Sequence, residues 1–133
     1  MIVFLDTNIV IYAVESDPTF GARAQKRIAT ALAAGDSLMV SDLVRMECLV
    51  HPLRTGDTVL LGQFRTFFAR PEVQVVAITA AVCDRAAQIR ATHKFKPMDA
   101  LHLAAAVEHG ANVFLTADAR LNAFTGLTVE VLK

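Results

Sequence analysis

The stretch Ile2-Val3-Phe4-Leu5-Asp6-Thr7-Asn8 sets the reading of the chain. Four apolar β-formers run without alternation, stop at three polar residues, and give way to a second apolar run, Ile9–Val14. An apolar run this short fits a strand buried on both faces, as in a parallel sheet. Asp6 then stands at the strand's carboxyl end, and in open α/β sheets ligands bind in the crevice outside those ends. Asp, Thr and Asn are also good helix N-caps, so Asp6 alone reads equally as a cap or as a site residue. Three capping residues in a row exceed what one cap requires.

Working outward, the chain alternates short apolar runs with helical patterns. Ile9–Val14 continues as a first helix, ending near Ser16-Asp17-Pro18. Thr19–Ala34 has helical spacing and Gly35 as its stop. Leu38–Val40 is a second strand, after which Ser41 caps a helix to about Val50, before His51-Pro52. Gly56-Asp57 opens the next helix, ending near Arg70-Pro71; Val73–Ile78 is a third strand. Thr79 caps a helix through Arg90, Pro97 starts another over Met98–His109, and Gly110 closes it. Asn112–Leu115 is a fourth strand, Asp118–Ala123 a short helix and Leu127–Val131 a last strand. Strands alternating with helices predict an α/β/α sandwich with a mostly parallel central sheet.

Composition narrows the function classes. The 133 residues suit one domain spanning 1–133. Thirteen basic and thirteen acidic residues cancel, so no global field announces a nucleic-acid partner, although charge can segregate on a folded surface. The apolar fraction of 54% is high, yet no apolar run reaches the roughly 18 residues that span a bilayer. The first residues lack a basic n-region and a cleavage site. A cytoplasmic protein with no membrane role is expected, its apolar surplus serving a dense core and an interface with another chain. Cys48 and Cys83 match no zinc or redox spacing and are expected as buried, reduced thiols.

Three further acids stand where a simple fold would not put them. In the helix after Ser41, Leu43, Met46, Glu47 and Val50 share one face, so Glu47 lies within an apolar stripe, costly unless paired or metal-bound. A rim glutamate paired with Arg45 or Arg54 is the plainer alternative. Met98–His109 is apolar nearly all round, a buried helix with Asp99 and His102 as exceptions. Asp99 also suits the helix dipole, and His102 reads as a supporting or core histidine. Asp118 follows the apolar run Val113-Phe114-Leu115 through Thr116-Ala117, which a simple turn explains equally well. Taken together, the four acids can meet at one sheet edge. Clustered carboxylates repel, and a hard divalent cation resolves the repulsion; Mg²⁺ needs only a few of them and keeps several waters. One or two such ions can activate water for in-line phosphoryl displacement.

On Val-Phe-Leu-Asp6-Thr-Asn8, the Glu47 helix, Met-Asp99-Ala-Leu-His-Leu-Ala-Ala-Ala and Leu-Thr116-Ala-Asp118-Ala-Arg-Leu, the chain resembles the PIN-domain nucleases, and more closely the VapC-type toxins of bacterial toxin–antitoxin pairs. The resemblance covers essentially the whole chain. It implies an endoribonuclease dependent on Mg²⁺ or Mn²⁺, with Asp6 and Asp99 as principal metal ligands. Glu47 and Asp118 are then further acids that hold a second ion or orient water, and Asn8 and Thr116 are supports. It implies water attack that leaves a 5′-phosphate and a 3′-hydroxyl, a homodimer, and a cognate antitoxin that blocks the site. Ala117 departs from the pattern, since many relatives carry asparagine there. Candidates to contact the RNA backbone are Arg23, Lys26, Arg27, Arg45, Arg54, Lys94 and Lys96.

Three other readings compete. A phosphoacceptor receiver-like regulatory domain needs a second acid beside Asp6 and an aspartate after a central strand, but Asn8 and Thr79-Ala80-Ala81 stand there. A haloacid-dehalogenase-type phosphatase needs a carboxylate where Asn8 is. A PIN-fold binding module without catalysis would not need four intact acids. Finally, Phe64, Phe67 and Phe68 exceed one narrow helical stripe, so either the fold or a partner must cover them.

Overall fold

A computed structural model describes residues 1–133. Its centre is a five-stranded sheet, all parallel, in the order β3-β2-β1-β4-β5. The strands are β1 (Ile2–Leu5), β2 (Ser37–Ser41), β3 (Val73–Val76), β4 (Val113–Thr116) and β5 (Thr128–Val131). Six helices flank it: α1 (Thr7–Glu15), α2 (Gly21–Ala33), α3 (Asp42–Thr55), α4 (Thr58–Phe68), α5 (Ala80–Thr92) and α6 (Pro97–Glu108). Helix α1 packs on α2, α3 and α4, and α5 packs on α6. The predicted α/β/α sandwich is the observed architecture.

The unbroken apolar runs are buried for the reason the sequence suggested. Val3, Phe4 and Leu5 are fully buried, as are Leu38–Val40 and Phe114-Leu115. Phe4 sits in register with Phe114, and their rings stack at 5.3 Å. Chain order runs outward from β1 through β2 to β3 on one side, then restarts at β4 on the other. The switch point, where a crevice opens between divergent connections, therefore lies between β1 and β4. Asp6 follows β1 and Thr116 ends β4, so both stand at its mouth.

Three local expectations are corrected, and one left open is decided. Helix α3 does not stop before His51-Pro52 but runs to Thr55. The Pro52 ring is buried, the Thr55 hydroxyl donates to the His51 carbonyl, and Gly56, at φ 69°, ends the helix. Its buried face is Val44, Cys48 and Pro52; Met46 and Val50 are exposed, so the stripe holding Glu47 faces outward rather than into the core. Cys83 is exposed, whereas burial pushes the Cys48 thiol up to about 12. Phe64, Phe67 and Phe68 are all buried within the chain, so α4 needs no partner to cover them.

Candidate active site

Asp6 is both cap and site residue. It is the N-cap of α1, and its Oδ1 accepts the Thr7 amide at 2.8 Å. Its Oδ2 accepts the Thr116 hydroxyl at 2.7 Å, with Asn8 Nδ2 at 3.4 Å. The residue is only 6% exposed and makes no salt bridge. Burial pushes its carboxyl above the usual range, against the lowering by His102, Thr116 and Thr7; the negative charge of Asp99 adds to the rise.

Glu47 is held differently. The Thr7 hydroxyl donates to its Oε1 at 2.7 Å, and His102 Nε2 lies 2.7 Å from the same oxygen. Both partners converge on Oε1, which leaves Oε2 without a protein donor. The hydrogen bond from His102 holds this carboxyl below its ordinary range, against desolvation and with help from Thr7. His102 is itself buried, and its Nδ1 has no partner, so the ring's polar engagement is wholly on the Nε2 side.

The fourth acid joins through Thr116. Its hydroxyl accepts the Asp118 amide at 3.0 Å while donating to Asp6. Asn8 spans the same gap, accepting the Ala117 amide on Oδ1 at 3.1 Å. Asp118 caps the 3₁₀ turn Ala119–Ala123 and is gripped by Arg120, whose hydrogen bond holds the Asp118 carboxyl below its usual range. Arg120 Nη2 also comes within 4.0 Å of Asp99 Oδ2. A chain of contacts therefore links all four acids in the order Glu47, Thr7, Asp6, Thr116, Asp118, Arg120, Asp99.

A family model for the PIN domain matches residues 3–127. The chain belongs to the PIN domain family. Solved structures with the same fold include VapBC2 of Rickettsia felis bound to a promoter DNA fragment, at a TM-score of 0.84 and 17% identity over 100% of both chains. Another is VapBC-1 of nontypeable Haemophilus influenzae, at 0.76 and 21% over 98% of both. A third is VapC20 of Mycobacterium tuberculosis, a sarcin-ricin loop cleaving toxin, at 0.67 and 17% over 93% of this chain and 90% of that one. No curated protein sequence matches significantly. No helix of this PIN domain is long and apolar enough to cross a membrane.

The four acids, Asn8 and Thr116 all stand in this contact network, but two other members were underrated in the sequence. Thr7 read only as a capping residue, although its amide and hydroxyl bridge Asp6 and Glu47. Arg120 was passed over, although its place two residues after Asp118 in a tight turn was a usable signal. Among the expected RNA-contacting cations, Arg27 is committed elsewhere, forked onto Glu130 at 2.6 and 3.1 Å.

Proposed function

We propose that this PIN domain is an endoribonuclease dependent on Mg²⁺ or Mn²⁺, and the toxin of a toxin–antitoxin pair. The observation that carries the reading is Asp6: a buried carboxylate at the switch point that makes no salt bridge and feels the negative charge of Asp99. The donor set fits a hard cation. Its ligands would be carboxylate oxygens; no three His, Cys, Asp or Glu side chains converge on one point, so two carboxylates and water would have to complete the shell. Asp6 and Asp99 would hold it, and Glu47 would face it through the free Oε2. Asp118 stands at the rim, in the grip of Arg120. When bound, such an ion polarises the phosphate and lowers the pKa of water.

The residues divide the remaining work. Thr7, Asn8 and Thr116 fix Asp6 so that its orientation does not depend on the ion. Glu47 Oε2, ionised at neutral pH and held from behind by His102 and Thr7, orients water and accepts its proton. The PIN nucleases among the similar structures include an RNA-cleaving toxin, which supports RNA as substrate.

The toxin role is supported by neighbours that are VapBC or toxin–antitoxin complexes. An apolar groove of about 370 Å³ between α1, α2 and α4, lined by Ala13, Val14, Ile28, Ala29, Leu32 and Phe67, would accept the antitoxin's apolar segment. The exposed Met46, Val50 and Leu53 on α3 favour a homodimer. The test is cleavage of total cellular RNA with Mn²⁺ or with chelator. Wild type should cut only with metal, and Asp6→Asn and Asp99→Asn should each lose about a hundredfold or more while staying folded. Full activity in either variant would overturn the site; no cleavage by the wild type would leave a binding module.

A further inference from the structure

Arg120 is the one permanently charged cation in ion-pair contact with any of the four acids, and it meets two of them, Asp118 and Asp99. Its Nε lies 3.0 and 3.2 Å from the two Asp118 oxygens, and its Nη2 lies 2.6 Å from Oδ2. Asp118 Oδ1 also accepts the backbone amide of Arg120 at 3.0 Å. The side chain is nevertheless 64% exposed. An exposed arginine ordinarily samples many rotamers, whereas a fork onto a carboxylate fixes this one in advance. Nη1 makes no bond to the protein, so its donors remain available.

The surroundings point to an anionic ligand. Arg120 lines a cavity of about 220 Å³ together with Lys94, Lys96, Phe95 and Asp99. A chain without net charge must gather an anionic polymer with local cations, and three stand here beside a proposed metal ligand. The fork meanwhile engages both oxygens of Asp118, so Arg120 is the partner this carboxylate holds.

We propose that Arg120 contacts a non-bridging oxygen of the phosphate being cleaved, and that Asp118 is its positioning residue rather than a metal ligand. The inference rests on the ribonuclease reading. Negative charge spreads over the phosphoryl oxygens as an in-line displacement proceeds, and a cation already oriented there stabilises it without rearranging. The planar guanidinium matches two phosphate oxygens, which the ammonium of lysine does not.

The test compares the full chain with Arg120→Met, Arg120→Lys, Asp118→Asn and the Met–Asn double variant. Mn²⁺ binding is measured calorimetrically without RNA, and cleavage of total RNA is followed at saturating Mn²⁺. Arg120→Met should cleave about a hundredfold more slowly, Arg120→Lys should recover part of the rate, and the double variant should be no slower than Arg120→Met. Mn²⁺ affinity should stay within about threefold of wild type in both single variants, since neither loses a ligand. A tenfold or greater loss of Mn²⁺ affinity in Asp118→Asn would overturn the inference, as would wild-type cleavage by Arg120→Met. A wild type that fails to cut RNA with Mn²⁺ would instead overturn the ribonuclease reading itself.

Discussion

Asp6 and Glu47 share Thr7 as a hydrogen-bonding neighbour, yet their surroundings push their carboxyls in opposite directions. A raised folded-state pKa means that ionised Asp6 works against the fold at neutral pH. As pH falls through that pKa the folded state takes up the proton first, and the penalty is gone below the unfolded value of about 3.9. Asp6→Asn in chelator should therefore melt higher than wild type at pH 7, by about 3–6 °C for a gain of about 1 kcal/mol, and the gap should close as the buffer is acidified toward pH 4. A gap independent of pH would mean that the charge is not its cause. Added Mn²⁺ should raise the wild-type melting temperature by mass action and the variant's far less. Glu47 has the reverse sign: its stabilisation is complete above the ordinary glutamate range and fades as acid protonates it. His102→Ala removes one of the two partners on Oε1, so cleavage should fall about tenfold to a hundredfold; an unchanged rate would make His102 a packing residue only. At this scale Asp6, Asp99 and Asp118 were legible because each breaks a local pattern, a charge after a buried strand or one inside an apolar helix, whereas Glu47 was found through a stripe that faces outward. Thr7 breaks none. A threonine after an aspartate at a helix start is ordinary, and only the distance to Glu47, 40 residues away, reveals its second bond.

Elements were legible where local chemistry decides them and less so where packing does. Pro97 at the start of α6 and Thr79 capping α5 were read correctly because each acts within one turn. Pro52 was misread as a stop, because a proline's effect on a helix depends on whether the ring finds a buried place, and here it does. The apolar stripe of α3 misled for a related reason: periodicity identifies a face without saying what covers it. Gly21 shows a constraint that no periodicity carries. A Cβ there would lie 2.7 Å from the Ser16 carbonyl carbon and 3.1 Å from the Tyr12 carbonyl oxygen, so only glycine lets α2 begin so close to the end of α1. Ser16 turns the chain at φ 52°, and Tyr12 stacks on Phe20 at 5.0 Å across the same corner. Gly21→Ala should cost about 1–3 kcal/mol, seen as an earlier thermal midpoint. Metal-dependent cleavage below that midpoint should persist, because the corner lies away from Asp6 and Asp99. An unshifted midpoint would show that the α1–α2 corner yields freely.

For the whole molecule, alternation of strands and helices was enough to predict a parallel sandwich, but not the strand order. Nothing local distinguishes β4 beside β1 from β4 beside β3, and that adjacency is what brings Thr116 to Asp6. The apolar surplus was likewise visible without its destination. Most of it is absorbed by a core in which Phe64, Phe67 and Phe68 are covered, and what remains open includes the groove along α2 and the exposed Met46, Val50 and Leu53 on α3. Ala29 lines that groove and is solvent-exposed, so a substitution there tests occupancy without disturbing the core. If an apolar antitoxin segment seats in the groove, Ala29→Glu sets a charge against it that must be buried unpaired. Co-expressed with the small open reading frame adjacent to this protein's gene, the wild type should co-elute with its product and stop cleaving RNA. The variant should cleave at the wild-type rate alone and bind that product about tenfold or more weakly, about 1.4 kcal/mol or more. Equal binding by both proteins would move the antitoxin to another face. A wild type that neither binds the product nor slows growth when expressed alone would remove the toxin role and leave the nuclease standing.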